Sequence, residues 1–382
     1  MILNKNFLFK ILLPFTAIFI FGCEQKVNFI SNNNIDKSIS SKATYLSDVQ
    51  RSSFHNTTPI YKKPKRINWS FYIGESVFSS PIIYKNVIYF LDNKKYLYAI
   101  DKRNGENIWI FITKNRNSSS VTISNKAIYF GSYDKHFYAI SLNSGRLLWK
   151  FKVQNYITSS ALIYKGIVFF GSWDGIFYAL NAKNGDIIWS FETKTKITGS
   201  PSIDIKNNRV IFCGHKVFSL DYLTGKKAWE YKVSSSVEGA PSIDDKNVYF
   251  GSKNSYFYAL NKDSGDLVWK IKTGYWITTS PAVSKNYVVI GSFDNNLYAI
   301  YKKTGKLAWK YKTKSDIQAA PQIVKDVVYG VSANNSIFAL SLGSGKLLWD
   351  IKISENFTST PIIEDGKIYY IDKEYLISKE SI

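Results

Sequence analysis

Tryptophan recurs at Trp69, Trp109, Trp149, Trp189, Trp229, Trp269, Trp309 and Trp349, every 40 residues without slippage. A period held so strictly argues against a string of unrelated domains. Units of this kind bury their faces against their neighbours, so the chain grows as an array with a shared core. Other features run in phase with the tryptophan. Gly105, Gly145, Gly185, Gly225, Gly265, Gly305 and Gly345 each stand four residues before it. A Tyr-Ala pair recurs at Tyr98-Ala99, Tyr138-Ala139, Tyr178-Ala179, Tyr258-Ala259 and Tyr298-Ala299. Eight phased matches at one period leave no room for chance.

Residues 160–199 show what one unit is. Four short apolar runs separate cleanly: Ser160 to Ile163, Ile167 to Gly171, Ile176 to Leu180 and Ile187 to Phe191. Between them lie Lys165-Gly166, Trp173-Asp174-Gly175 and Asn184-Gly185, residues that supply the positive φ of tight hairpins. Aromatic and β-branched residues suit a pleated, half-buried surface. Four antiparallel strands per 40 residues is the blade of a β-propeller. The expected fold is all-β, an eight-bladed propeller over residues 63–382. Its ends are complementary, since Ile67 to Phe71 reads as a fourth strand with no blade before it. The last repeat, from Pro361 to Ile377, reads as three strands without a fourth. The N-terminal strand should therefore complete the C-terminal blade and remove the open edges.

The first 22 residues have a different character. Lys5 and Lys10 precede an apolar run from Ile11 to Phe21. That run is too short for a helix across a bilayer, which takes about 20 residues. A short apolar run behind positive charge is an export signal. It ends in Ile20-Phe21-Gly22-Cys23, which resembles the lipobox of bacterial lipoproteins and implies lipidation at Cys23. The expected organisation is a signal peptide over 1–22, then a lipidated, disordered tether over 23–62 rich in Ser and Asn. Cys213 lies in the apolar run Val210 to Gly214 with no disulfide partner, and reads as a buried, inert thiol.

The chain carries 50 Lys and Arg against 29 Asp and Glu, a net charge of +21. Much of it falls in the fourth strands, as in Trp149-Lys150-Phe151-Lys152 and Trp309-Lys310-Tyr311-Lys312. Lysine there guards an outer strand against edge-to-edge pairing. Spread around a rim in this way, the charge does not form a nucleic-acid site. His55, His136 and His215 show no metal-ligand spacing, and no nucleophile elbow occurs. The expectation is no enzyme activity, no metal and no cofactor.

The run Gly171-Ser172-Trp173-Asp174-Gly175-Ile176-Phe177-Tyr178-Ala179-Leu180, continuing through Asn184-Gly185 to Trp189, closely resembles the PQQ-like propeller repeat. The resemblance extends over residues 65 to 377. Two branches of that family bear on function. Quinoprotein dehydrogenases bind pyrroloquinoline quinone and calcium, and the resemblance implies for them a vicinal Cys pair and acidic calcium ligands. This chain has no such pair, and Asp134, Asp174 and Asp294 fall at a hairpin position, where Asp turns the chain. The other branch is the BamB type of outer-membrane assembly lipoprotein. Blade count, anchor Cys and polar tether are similar to it. That resemblance implies a non-catalytic scaffold, lipid-anchored to the outer membrane and facing the periplasm. Its implied partners are a BamA-like assembly component and unfolded β-barrel substrates. The alternatives left open are another propeller-based binding lipoprotein at the cell surface and a PQQ-dependent dehydrogenase.

A partner should meet the face where fourth-to-first and second-to-third connections open, because loop sequences vary most there. Tyr133, Tyr156 and Trp173 fall on that face in blades 2 and 3, and Tyr275, Trp276 and Phe293 around blade 6. Residues 133, 173 and 293 share one repeat phase, so they also fit a blade-capping role. Tyr156 and Trp276 take a phase filled elsewhere by Lys196, Ser236 and Asp316, which makes them the sharper candidates.

Overall fold

The computed structural model describes residues 27–29, 48, 50–55, 57–333, 336–354 and 359–381. The expected signal peptide and Cys23 lie outside them. The described strands form eight sheets, each made of four strands that pair antiparallel in a blade, with one further strand added to two of them. Blade 3 stands for the rest: Leu162–Tyr164, Ile167–Gly171, Ile176–Asn181 and Ile187–Glu192, from axis to rim. Its first hairpin turns on Lys165 and Gly166, both with positive φ. The second and third strands are almost wholly buried. The fourth strands of most blades alternate between packed and exposed residues, as the Trp-Lys-Phe-Lys runs require.

Blades pack face to face through aromatic pairs. Phe137 stacks on Phe170 with centroids 4.2 Å apart, and Phe177 on Phe212 at 3.8 Å. Burying each such ring contributes roughly 1.5–3 kcal/mol. The repeated tryptophan ties neighbouring blades. Its indole N–H donates to a carbonyl 33 residues later, in the next blade, as in Trp149 to Ala182 at 3.1 Å and Trp189 to Tyr222 at 3.1 Å. Beneath the indole sits the in-phase glycine of that next blade. A Cβ on Gly185 would lie 2.6 Å from the Trp149 ring, at a φ of +80° that disfavours any side chain. The glycine and tryptophan four residues apart in sequence thus belong to two different contacts.

Hydroxyls line the axis, interrupted at Ala240 and Ala320. The Ser80 amide donates to the Ser120 hydroxyl at 3.0 Å, Ser120 to Ser160 at 2.9 Å and Ser160 to Ser200 at 2.8 Å. Thr360 returns to the Ser80 hydroxyl at 3.1 Å, which brings the last blade against the first. Closure follows the expected route. Arg66–Tyr72 pairs antiparallel with Tyr375–Glu380, with Trp69 opposite Ser378.

The tether expected to run disordered to residue 62 is corrected over its last stretch. Residues 50–55 and 57–60 belong to a strap built into the channel from the lower face. The Arg51 side chain is buried and donates to the carbonyls of Pro201 at 2.6 Å and Ala161 at 2.9 Å. Strap carbonyls then accept from three successive first strands: Ile243 to Gln50 at 3.1 Å, Val283 to Ser52 at 2.7 Å and Ile323 to Ser53 at 2.9 Å. Phe54–His55 pairs parallel with Gln322–Val324. Ile60 is buried, and its carbonyl accepts the Trp349 indole N–H at 2.8 Å, the position that a following blade supplies elsewhere. The physical reason is that each innermost strand presents an unpaired edge to the axis, and its amides need acceptors. Polar composition says the segment cannot build a core. It does not exclude docking through the backbone. Further upstream, Val27–Phe29 adds antiparallel to the fourth strand of blade 3.

Candidate partner-binding face

On the upper face, the second-to-third hairpins of blades 1, 2, 3, 5, 6 and 7 are zipped to the loop leading into the same blade. The Trp173 amide donates to the Tyr156 carbonyl at 2.9 Å, Phe293 to Trp276 at 2.9 Å and Tyr133 to Arg116 at 3.1 Å. The repeat itself therefore dictates which side chains meet. Tyr156 lies between the hairpins of two blades, its ring 4.8 Å from Tyr133 and 5.5 Å from Trp173. Arg116 covers Tyr133 at 4.2 Å and Lys196 covers Trp173 at 4.9 Å, each within cation–π range. The Trp173 indole N–H donates to the Thr158 hydroxyl at 2.9 Å. All three rings of this cluster are half-buried.

The second cluster is more open. Tyr275 stacks on Trp276 at 4.9 Å, and Trp276 lies 6.2 Å from Phe293. Lys253 sits 5.0 Å over the Trp276 ring and pairs with Glu238 at 2.7 Å. Tyr275 is 48% exposed and Trp276 37%, so these two rings offer more surface than the blade 2–3 group. Trp276 and Phe293 also border a cavity of about 560 Å³ at the channel mouth, lined chiefly by Ser and Thr. The strap lies below it, where Arg51 reaches the Ser160 carbonyl at 3.2 Å.

All six aromatic candidates lie on this face, drawn into two groups rather than spread singly. Tyr156 is not independent of its neighbours, since it fills the gap between Tyr133 and Trp173. The cations over the rings were not singled out from sequence. A signal existed: Arg116 and Lys196 occupy the phase of Tyr156, and Lys253 that of Tyr133. A cleft of about 600 Å³ on the lower face, between blades 5 and 6, also went unread. There Lys302 pairs with Asp244 at 3.0 Å beside Tyr287 and Tyr301.

The hairpin aspartates are fully employed in the fold. Asp174 accepts from the Ile176 amide at 3.0 Å, the Tyr178 hydroxyl at 3.0 Å and the Gln154 amide at 3.2 Å. Asp134 and Asp294 repeat the pattern. Cys213 is fully buried, and burial pushes its thiol pKa far up. Among the described residues no group of three or more His, Cys, Asp or Glu side chains is arranged to hold a metal ion.

The sequence profile of the family described as outer membrane protein assembly factor BamB matches residues 93–257 and 236–378. The chain belongs to that family. No curated protein gives a significant sequence match. Among solved structures, BamB from Moraxella catarrhalis superposes with a TM-score of 0.71 at 13% identity, over 84% of this chain and 99% of that one. The quinohemoprotein alcohol dehydrogenase from Comamonas testosteroni gives 0.77 at 13% identity, over 89% and 80%. A europium-containing methanol dehydrogenase gives 0.72 at 14%, over 86% and 89%. Identities this low carry the fold alone. This BamB-family propeller thus shares its architecture with both branches, and function rests on the site.

Proposed function

We propose that this BamB-family chain is a non-catalytic scaffold, lipid-anchored through Cys23, that assists assembly of β-barrel proteins into the outer membrane. Its partners on this reading are a BamA-like component and unfolded barrel chains, met by the upper face. The exposed Tyr275–Trp276 stack with Lys253 above it carries the proposal. Aromatic rings beside a cation are the side chains that anchor protein interfaces, and each ring buries 150–250 Å² against a partner. The hairpin aspartates support it too, because the fold already uses them as turn and loop acceptors.

The test is co-purification from detergent-solubilised membranes followed by mass spectrometry. Tyr156→Ala combined with Trp276→Ala should reduce partner recovery, with truncation of a hot-spot ring costing about 2 kcal/mol or more. Thermal melts on the same protein should stay near wild type. Early melting with normal capture would make these rings structural and put the contact elsewhere.

Membrane attachment has its own test. Cys23→Ala should yield a folded protein in the soluble fraction, since the preceding apolar run is too short to span a bilayer. Retention of the variant in membranes after a high-salt wash would rule out the lipid as the anchor.

A further inference from the structure

The fourth strands form the outer edge of the propeller, and blade 1 departs from the other seven. In Asn107–Ile112, Trp109 and Phe111 turn toward blade 2, with Phe111 5.7 Å from Tyr138. Ile108, Ile110 and Ile112 are left 48%, 42% and 56% exposed. An apolar residue at the phase of Ile108 is common to several blades. At the phase of Ile110, however, every other blade carries Ser, Lys, Glu or Asp, and at that of Ile112 Lys, Glu or Tyr. Blade 1 therefore combines a backbone edge that pairs with no other strand among the described residues with a continuous apolar face.

The chain itself shows what such an edge accepts. Blades 3 and 8 also lack lysine at these two phases, with Ser190 and Glu192 in one and Ser70 and Tyr72 in the other, and the fourth strand of blade 3 is paired with Val27–Phe29. The register sets Val27 opposite Phe191, Asn28 opposite Ser190 and Phe29 opposite Trp189. Two repeats earlier, the same register sets an added strand against Trp109, Ile110 and Phe111. A segment docked there would present the residue opposite Ile110, and those two away on either side, to the three isoleucines. Backbone pairing holds such a strand, and alternate side chains select it.

We infer that the outer edge of blade 1 is a docking strand for an extended polypeptide segment with apolar side chains at alternate positions. The segment adds antiparallel to Asn107–Ile112 as a fifth strand. This surface is separate from the upper-face rings, so either reading can fail without the other.

The probe is a fluorescein-labelled synthetic peptide of alternating valine and threonine with an aspartate at each end, titrated into the purified full chain and followed by anisotropy. Saturable binding is expected. Ile110→Lys with Ile112→Lys should weaken it at least ten-fold, while Leu148→Lys, exposed on blade 2, leaves it unchanged. A peptide with alternate residues replaced by proline, which lacks the backbone donors, should bind no better than wild-type peptide binds the double variant. Absence of binding by the wild-type chain overturns the proposal, as does binding indifferent to the double lysine variant. So does a wild-type dimer that the double variant dissociates, because a second copy would then occupy the edge.

Discussion

Removing residues 1–62 should lower the melting temperature by roughly 10 °C, whereas removing residues 1–46 should shift it by no more than about 2 °C. The difference lies in the strap. The shorter truncation removes the three-residue strand on the rim of blade 3 and keeps every strap contact with the channel wall. The longer one removes Ile60, which is 1% exposed and packed with Tyr329 and Trp349. Vacating an aliphatic site of this kind costs about 2–5 kcal/mol. It also strips the Trp349 indole N–H of its acceptor, and the amides of Ile243, Val283 and Ile323 of theirs. A buried group left unsatisfied costs about 1–3 kcal/mol, while water entering the channel recovers part of the amide loss. A net loss on the order of 5 kcal/mol, at roughly 2 °C per kcal/mol for a domain of this size, gives the predicted shift. Equal melting temperatures for the two truncations would show that the strap contributes nothing to stability.

Trp189→Ala should destabilise the propeller by about 3–5 kcal/mol, read as a lower midpoint in guanidinium unfolding with little change in slope. Trp189 is fully buried, with its ring 5.8 Å from Phe169 and 6.0 Å from Phe177. It also covers Gly225, where a Cβ would approach the indole to 2.8 Å, so the backbone of blade 4 is shaped to receive it. Alanine there opens a cavity between blades 3 and 4 and leaves the Tyr222 carbonyl without its indole donor. Trp109 makes the corresponding hydrogen bond at 3.2 Å but is only half-buried, so its replacement should cost less. An unchanged midpoint for Trp189→Ala would mean the repeated tryptophan does not hold the blades together.

How far these properties were legible depends on the distance over which each is set. Blade count, strand order within a blade and the closing strand could be read because each rests on local signals. Hairpin turns such as Lys165-Gly166 and the alternation around each tryptophan act within a few residues, and the 40-residue phase repeats them. The unpaired strand at Trp69 and the three-stranded repeat after Pro361 then leave one way to satisfy both edges.

The contacts between blades were not legible, because neighbours in space stand well apart in sequence, as Phe111 does from Tyr138 and Trp149 from Ala182. Gly185 reads as part of a turn before Trp189, yet the ring that needs its missing side chain is Trp149. Tyr156 reads as a lone aromatic loop residue, and only the zipped hairpins place it between Tyr133 and Trp173. Least legible was the strap. It binds mainly through carbonyls and one arginine, and backbone acceptors leave no mark on side-chain composition. The sequence by itself determined the blade, its copy number and its closure, through local hydrogen bonding and apolar alternation. Only the closed ring decided the rest: its inner edges present unpaired amides to the axis, and these draw a polar segment into a place that composition reserved for solvent.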